Sequence, residues 1–199
     1  MPETLKTFLL YSLFNSENNK AMKRITFLLL TATLILAGCK TQQNPEKAAI
    51  QEAEARLAYE NAVQAIDSLS FVLQADRVTF KNGSFVYVDT NTNFISVKNG
   101  RGTIQLAFNG PYAGPNGIGG ITVEGNVSNV KKDTDKKGNI TFSMSIMGTG
   151  LSAQVFFNMP YGTNSCTATV TPNFNSQRIT FSGKLYLPEE SSVFKGRSL

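Results

Sequence analysis

The 199-residue chain contains no histidine and two cysteines, Cys39 and Cys166. Without an imidazole there is no Ser-His-Asp or Cys-His nucleophile, no histidine metal ligand, and no side chain whose ordinary pKa suits general-base work near neutral pH. The other chemistry-bearing residues lead to little. Cys166 would be a nucleophile only as a thiolate stabilised by a nearby cation, and its place on one alternating row with Ala168 and Val170 reads as a small core residue. Asp133 and Asp135 occupy the first and third positions of a calcium-type loop with Gly138 at the sixth, but Lys137 stands at the fifth and Met144 at the twelfth, where a carboxylate is required. The segment is read as a polar hairpin tip, and no metal is expected. Glu189 and Glu190 are adjacent, so in an extended chain they point apart and serve solvation. The stretch from Gly110 to Gly120 holds five glycines and two prolines but lacks the Lys-Ser/Thr ending and following helix of a phosphate loop. It reads as a structural loop, with a ligand loop presenting Tyr112, joined by Phe174 from a second loop, as the alternative. No cofactor is implied and no enzymatic activity is expected.

Cys39 has a different meaning. The apolar run Ile25–Ala37 has thirteen residues, which as a helix reaches roughly 20 Å against the roughly 30 Å of a hydrocarbon core. Lys23 and Arg24 precede it, and small residues follow, the layout of a secretory signal peptide. Leu36-Ala37-Gly38-Cys39 resembles the lipobox of bacterial lipoproteins. The resemblance implies a diacylglyceryl group on the Cys39 sulfur, cleavage between Gly38 and Cys39, and an acylated new amino terminus. Two or more acyl chains, at about 0.8 kcal/mol per buried methylene, hold a protein firmly to a membrane. The expected address is the cell envelope of a Gram-negative bacterium, at the outer membrane. Met22 supplies a standard signal start, so residues 1–21 are expected to be a mis-assigned beginning. The expected plan is a signal peptide over 1–38, a tether over 39–43, a helix over 44–69 and a β domain over 70–199.

From Cys39 onward 161 residues remain, one domain's worth, with 15 Lys plus Arg against 12 Asp plus Glu. That balance is too mild to point to nucleic acid. Asn44 as N-cap, Pro45 and Glu46 mark a helix start. Ala55, Tyr59, Ala62, Ile66 and Leu69 form an apolar stripe beside Val63, whereas the first half carries alanines and charges, with Glu52 and Arg56 spaced to pair. The expectation is a solvated stalk running into a docked segment.

After Phe71 the period falls to two. Ile104-Leu106-Phe108, Ile140 to Ile146, Leu151 to Met159, Cys166 to Val170 and Ile179 to Leu187 are apolar rows, each alternating with a row read as wet, such as Thr103-Gln105-Ala107. Turn signals at Asn82-Gly83, Asn99-Gly100 and Lys137-Gly138 separate them. The fold class expected is all-β with one N-terminal helix: an antiparallel meander of about nine strands, curled into a small barrel or a two-layer sandwich, with the helix over an opening or an exposed face.

Gly117 to Gly125 (GIGGITVEG), Lys136 to Phe142 (KKGNITF), Arg178 to Leu185 (RITFSGKL) and Ser192 to Ser198 (SVFKGRS) resemble a family of envelope lipoproteins labelled domain of unknown function 4251. The resemblance implies a secreted, lipidated, β-rich domain and brings no catalytic or binding residues with it. The leading reading is a non-catalytic envelope module, binding or structural, tied to the membrane through Cys39. Its partner would be an envelope protein, a glycan or a small apolar ligand. The alternative is a carrier with an apolar ligand inside the curled sheet. A regular meander would place Lys81, Lys98, Arg101, Lys131, Lys132, Lys136 and Lys137 at one end, and the last four are the candidates for an anionic membrane surface. Asp67-Ser68-Leu69 resembles the O-glycosylation acceptor of some gut-type Gram-negative bacteria, while a helix-ending Ser is the simpler account of Ser68.

Overall fold

The structure, a computed structural model, describes residues 45–107, 117, 119–149, 151–173 and 177–198. The chain divides into two compact units, Met1–Ala48 and Ala49–Leu199, and the fold described below is that of the second. Cys39 and its lipobox, the N-cap Asn44, Phe108, Tyr112 and Phe174 lie outside the described residues.

Helix α1 spans Pro45–Asp67. It ends in a Schellman arrangement: Ser70 N–H donates to Ala65 O, Leu69 N–H donates to Ile66 O, and Leu69 takes φ +49°. Ser68 Oγ donates to Ala65 O at 3.2 Å, the helix-ending role read for it. Ala62, Ala65 and Ile66 are buried, with Tyr59, Val63 and Leu69 packed beside them. Ala55 is exposed, as are Ile50 and Leu57. Docking thus starts about one turn later than the stripe suggested, at Tyr59. Arg56 pairs with Glu60 at 3.0 Å rather than with Glu52, the partner one turn on instead of one turn back.

Nine strands follow: β1 Phe71–Phe80, β2 Phe85–Tyr87, β3 Phe94–Lys98, β4 Arg101–Ala107, β5 Gly120–Thr134, β6 Ile140–Met147, β7 Ser152–Met159, β8 Ser165–Pro172 and β9 Ile179–Tyr186. They form one sheet in the order β2-β1-β3-β4-β5-β6-β7-β8-β9, and β9 also pairs with β1. The meander therefore closes into an eight-stranded antiparallel barrel with β2 outside it, which decides between barrel and sandwich. β2 and β3 lie end to end on the same edge of β1, at Arg77–Thr79 and Phe71–Gln74. The intervening loop is sewn into the wall by Val88 N–H to Asp76 O and Ala75 N–H to Asn93 O. It is not an end turn, so the turn bearing Lys81 belongs to the opposite end from the turn bearing Lys98 and Arg101. The expected single basic end is corrected accordingly.

The hairpin signals are met. Asn99 and Gly100 both take positive φ, +53° and +74°, as a two-residue hairpin of this hand requires. At the β5–β6 tip Asp135 accepts from the amides of Lys137 and Asn139 and from Asn139 Nδ2. Its carboxyl is held below the ordinary value chiefly by the Asn139 side chain. Where β9 closes on β1, a Cβ on Gly183 would lie 1.9 Å from Gln74 O, so glycine permits a close backbone approach in the seam.

The inward rows fill the barrel. Phe142 and Phe157 stack at 4.0 Å, and Phe71 meets both edge-on at 5.4 and 5.5 Å. Phe181 is also fully buried in this cluster. Helix α1 lies across the end made by the β5–β6 and β7–β8 turns: Tyr59 Oη donates to Gly138 O, and its ring meets Tyr161 edge-on. Ala62, Ala65 and Ile66 join the strand side chains in one core cluster. Apolar side chains point in and hydroxyl-bearing ones out, the inverse of a membrane-spanning barrel with an aqueous lumen.

Candidate functional site

The outward rows are where polar chemistry gathers. Strand pairing aligns Lys131, Ser143, Phe156, Thr169 and Thr180 side by side across β5 to β9. The next rung aligns Ser128, Ser145, Gln154 and Thr171. Over these strands the outer surface is concave, a groove of about 600 Å³ lined by Lys131, Ser143, Phe156 and Thr169 of the first rung and Ser145, Gln154 and Thr171 of the second, together with Asn129 and Arg178. A β-bulge lies between Ser128 and Lys131, with Asn129 at φ +54°, and both Asn129 and Lys131 line the groove. Asn129 Nδ2 reaches Ser145 Oγ at 3.5 Å, and the Thr169 and Thr180 hydroxyls lie 3.2 Å apart. Phe156 stands amid these hydroxyls with 52% of its surface exposed, whereas its chain neighbour Phe157 is fully buried. Among the described residues no carboxylate lines the groove. Among the described residues neither Lys131 nor Arg178 has an ion-pair partner, while Lys132, Lys195 and Arg101 do.

The four lysines proposed from sequence are divided by the fold. Lys131 faces the groove. Lys132 points the other way and pairs with Asp67 at the end of α1. Lys136 and Lys137 are exposed on the β5–β6 tip. Ser68 is exposed at the helix end. Tyr112 and Phe174 fall outside the described residues, and so does Cys39. Cys166 is buried, and burial pushes its thiol up to about 12, which fits a core residue rather than a nucleophile. Phe156 and Arg178 were not singled out from sequence. The available signal was an aromatic placed between Gln154 and Asn158 on a polar row.

A second outward region behaves differently. Along β4 the row Thr103-Gln105-Ala107, read as wet, is buried. Gln105 Nε2 donates to Thr92 O at 3.0 Å and to Phe194 O at 2.7 Å, and its Oε1 accepts from Thr122 Oγ1 at 2.9 Å and Gly196 N–H at 2.8 Å. Residues 191–198 thus cross the outside of β4 and β5 as a strap. Lys195 Nζ and Ser198 Oγ fasten it to Glu124 at 2.6 and 3.1 Å, and Arg101 holds the same carboxylate from the other side at 3.2 Å.

A family model for the domain of unknown function DUF4251 matches residues 53–185. A crystal structure of a DUF4251 family protein from Bacteroides eggerthii DSM 20697 is 51% identical in sequence, with a TM-score of 0.63, covering 74% of this chain and 99% of its own. No curated protein matches the chain. The family match extends from the docked half of α1 through the closing strand β9, and the resemblance first carried by the GIGGITVEG and RITFSGKL motifs is thereby established: the chain belongs to the DUF4251 family.

Proposed function

We propose that the protein is a non-catalytic module of the Gram-negative cell envelope, anchored through lipidated Cys39, that acts through the outer surface of its barrel. The observation that carries this reading is the filled interior. The stacked Phe71, Phe142 and Phe157 occupy the place where a carrier of apolar ligands would hold its cargo. Recognition is then left to the outer face, where unpaired cations, hydroxyls and an exposed ring share one groove. The high thiol pKa of Cys166 and the absence of any imidazole support a role without catalysis.

Lipid anchoring is tested by metabolic labelling of the full chain with an alkyne-tagged fatty acid, beside a Cys39→Ser variant. The expected result is label and membrane sedimentation in the parent and neither in the variant. A chain that keeps Met22 and takes up no label would overturn the anchor. The surface-acting part is tested by native mass spectrometry of protein from its own host, where an apolar adduct lost on denaturation would favour the carrier instead.

A further inference from the structure

Resting on the reading of a module that acts through its outer face, we propose that the groove over β5 to β9 binds an acidic oligosaccharide. Its carboxylate or sulfate groups pair with Lys131 and Arg178, and one sugar ring lies on Phe156. Three observations lead there. The floor is a lattice of neutral groups that both donate and accept, the hydroxyls of Ser143, Ser145, Thr169 and Thr171 with the amide of Gln154. Such a lattice matches a ligand that is itself covered in hydroxyls. In its midst stands a half-exposed aromatic ring, which offers a flat apolar patch to the C–H face of a sugar. An extended peptide would instead need apolar pockets for alternate side chains, and the exposed apolar side chain in this lining is Phe156.

The charges set the class. Lys131 lines the groove from β5 and Arg178 from just before β9, and among the described residues no carboxylate lines it. A guanidinium grips a carboxylate or sulfate through paired N–H donors. Three strands, β6, β7 and β8, lie between the two cations in the sheet order. That reach calls for an oligomer rather than a single sugar. The strap of residues 191–198 covers the outward row of β4, whereas among the described residues the groove face is left open.

The test is calorimetric titration of the full-length protein in detergent with four probes of similar length: oligogalacturonate, a sulfated heparin oligosaccharide, neutral malto-oligosaccharide and oligoglutamate. One or both acidic sugars should bind, at least about tenfold more tightly than the neutral one, as expected for charge-assisted hydrogen bonds. Which of the two binds distinguishes carboxylate from sulfate. The double variant Lys131→Ala/Arg178→Ala should lose about tenfold or more for the acidic sugar, and Phe156→Ala about fivefold. Both variants alter exposed positions, and circular dichroism melting verifies that they fold. Absence of binding by both acidic sugars, equal binding of the neutral one, binding indifferent to these variants, or oligoglutamate binding as tightly would each overturn the proposal. Should it fall while Cys39 takes up lipid and the native mass is free of adduct, the surface-module reading stands without this ligand. A retained apolar adduct would remove that reading first.

Discussion

Two outward-facing rows of one barrel, Thr103-Gln105-Ala107 on β4 and Gln154-Phe156-Asn158 on β7, are built from similar residues and meet opposite fates. Gln105 is fully buried, with four hydrogen bonds to the strap, the β2–β3 loop and Thr122. Gln154 lines an open groove beside an exposed phenylalanine. What distinguishes them is a remote segment: residues 191–198 return to one face and not to the other. A glutamine on a covered row becomes a structural bracket for backbone, while the same residue on an open row is available to a ligand.

The sharpest way to break this comparison is to exchange amide for hydrocarbon on both rows. Gln105→Leu strands the Phe194 carbonyl and the Gly196 N–H, so it should cost about 2–4 kcal/mol in urea unfolding. Gln154→Leu should stay within about 0.5 kcal/mol. Similar losses at both sites would show that the two faces are not different in kind.

A smaller effect is expected at the strap's fastening. The Lys195 hydrogen bond lowers the Glu124 pKa, burial opposes it, and Ser198 and Arg101 add to the lowering. Because the folded-state value lies below the ordinary 4.5, Glu124's contribution is fully present above that value and is lost as the pH falls through the folded one. Hydrogen exchange of residues 192–198 should therefore quicken on acidification below the ordinary carboxylate range. Glu124→Gln should weaken the strap by about 1 kcal/mol and flatten that dependence. An unchanged acid response in the variant would place the fastening elsewhere.

The smallest effect sharpens the open side. Phe156→Ala should alter stability by no more than about 0.5 kcal/mol, the usual figure for an exposed position. The adjacent Phe157→Ala supplies the contrast, at about 3–5 kcal/mol for a buried aromatic. Equal melting temperatures for these two variants would contradict the assigned facing of β7.

Much of the fold was legible because its determinants are local. The alternation of Ile140, Phe142, Met144 and Ile146 is found buried as read, and the Asn99-Gly100 turn has the backbone its residues require. The helix was legible too, though its stripe was drawn one turn long at Ala55. The errors lie where distant segments decide. Nothing near Gln105 announces that Phe194 and Gly196 will lie on it, a separation of about ninety residues. The β2–β3 interruption is likewise set by pairing with β1 rather than by its own residues, and it moved Lys81 to the other end. For the groove, alternation placed Ser143 and Ser145 outside, but the bulge that carries Asn129 at its margin is one that no residue pattern marked.

The seam between the first strand and the last carries a consequence for order of assembly. Val72 is registered with Tyr186 and Phe80 with Ile179, so the ring cannot close until nearly the whole sheet has been made. Long-range pairing of this kind slows folding, because a long loop must be ordered before its contacts reward it. A chain interrupted before β9 is not a smaller barrel. It is an open sheet with two unpaired edges and an aromatic interior uncovered, the kind of surface on which copies of a chain stick to one another.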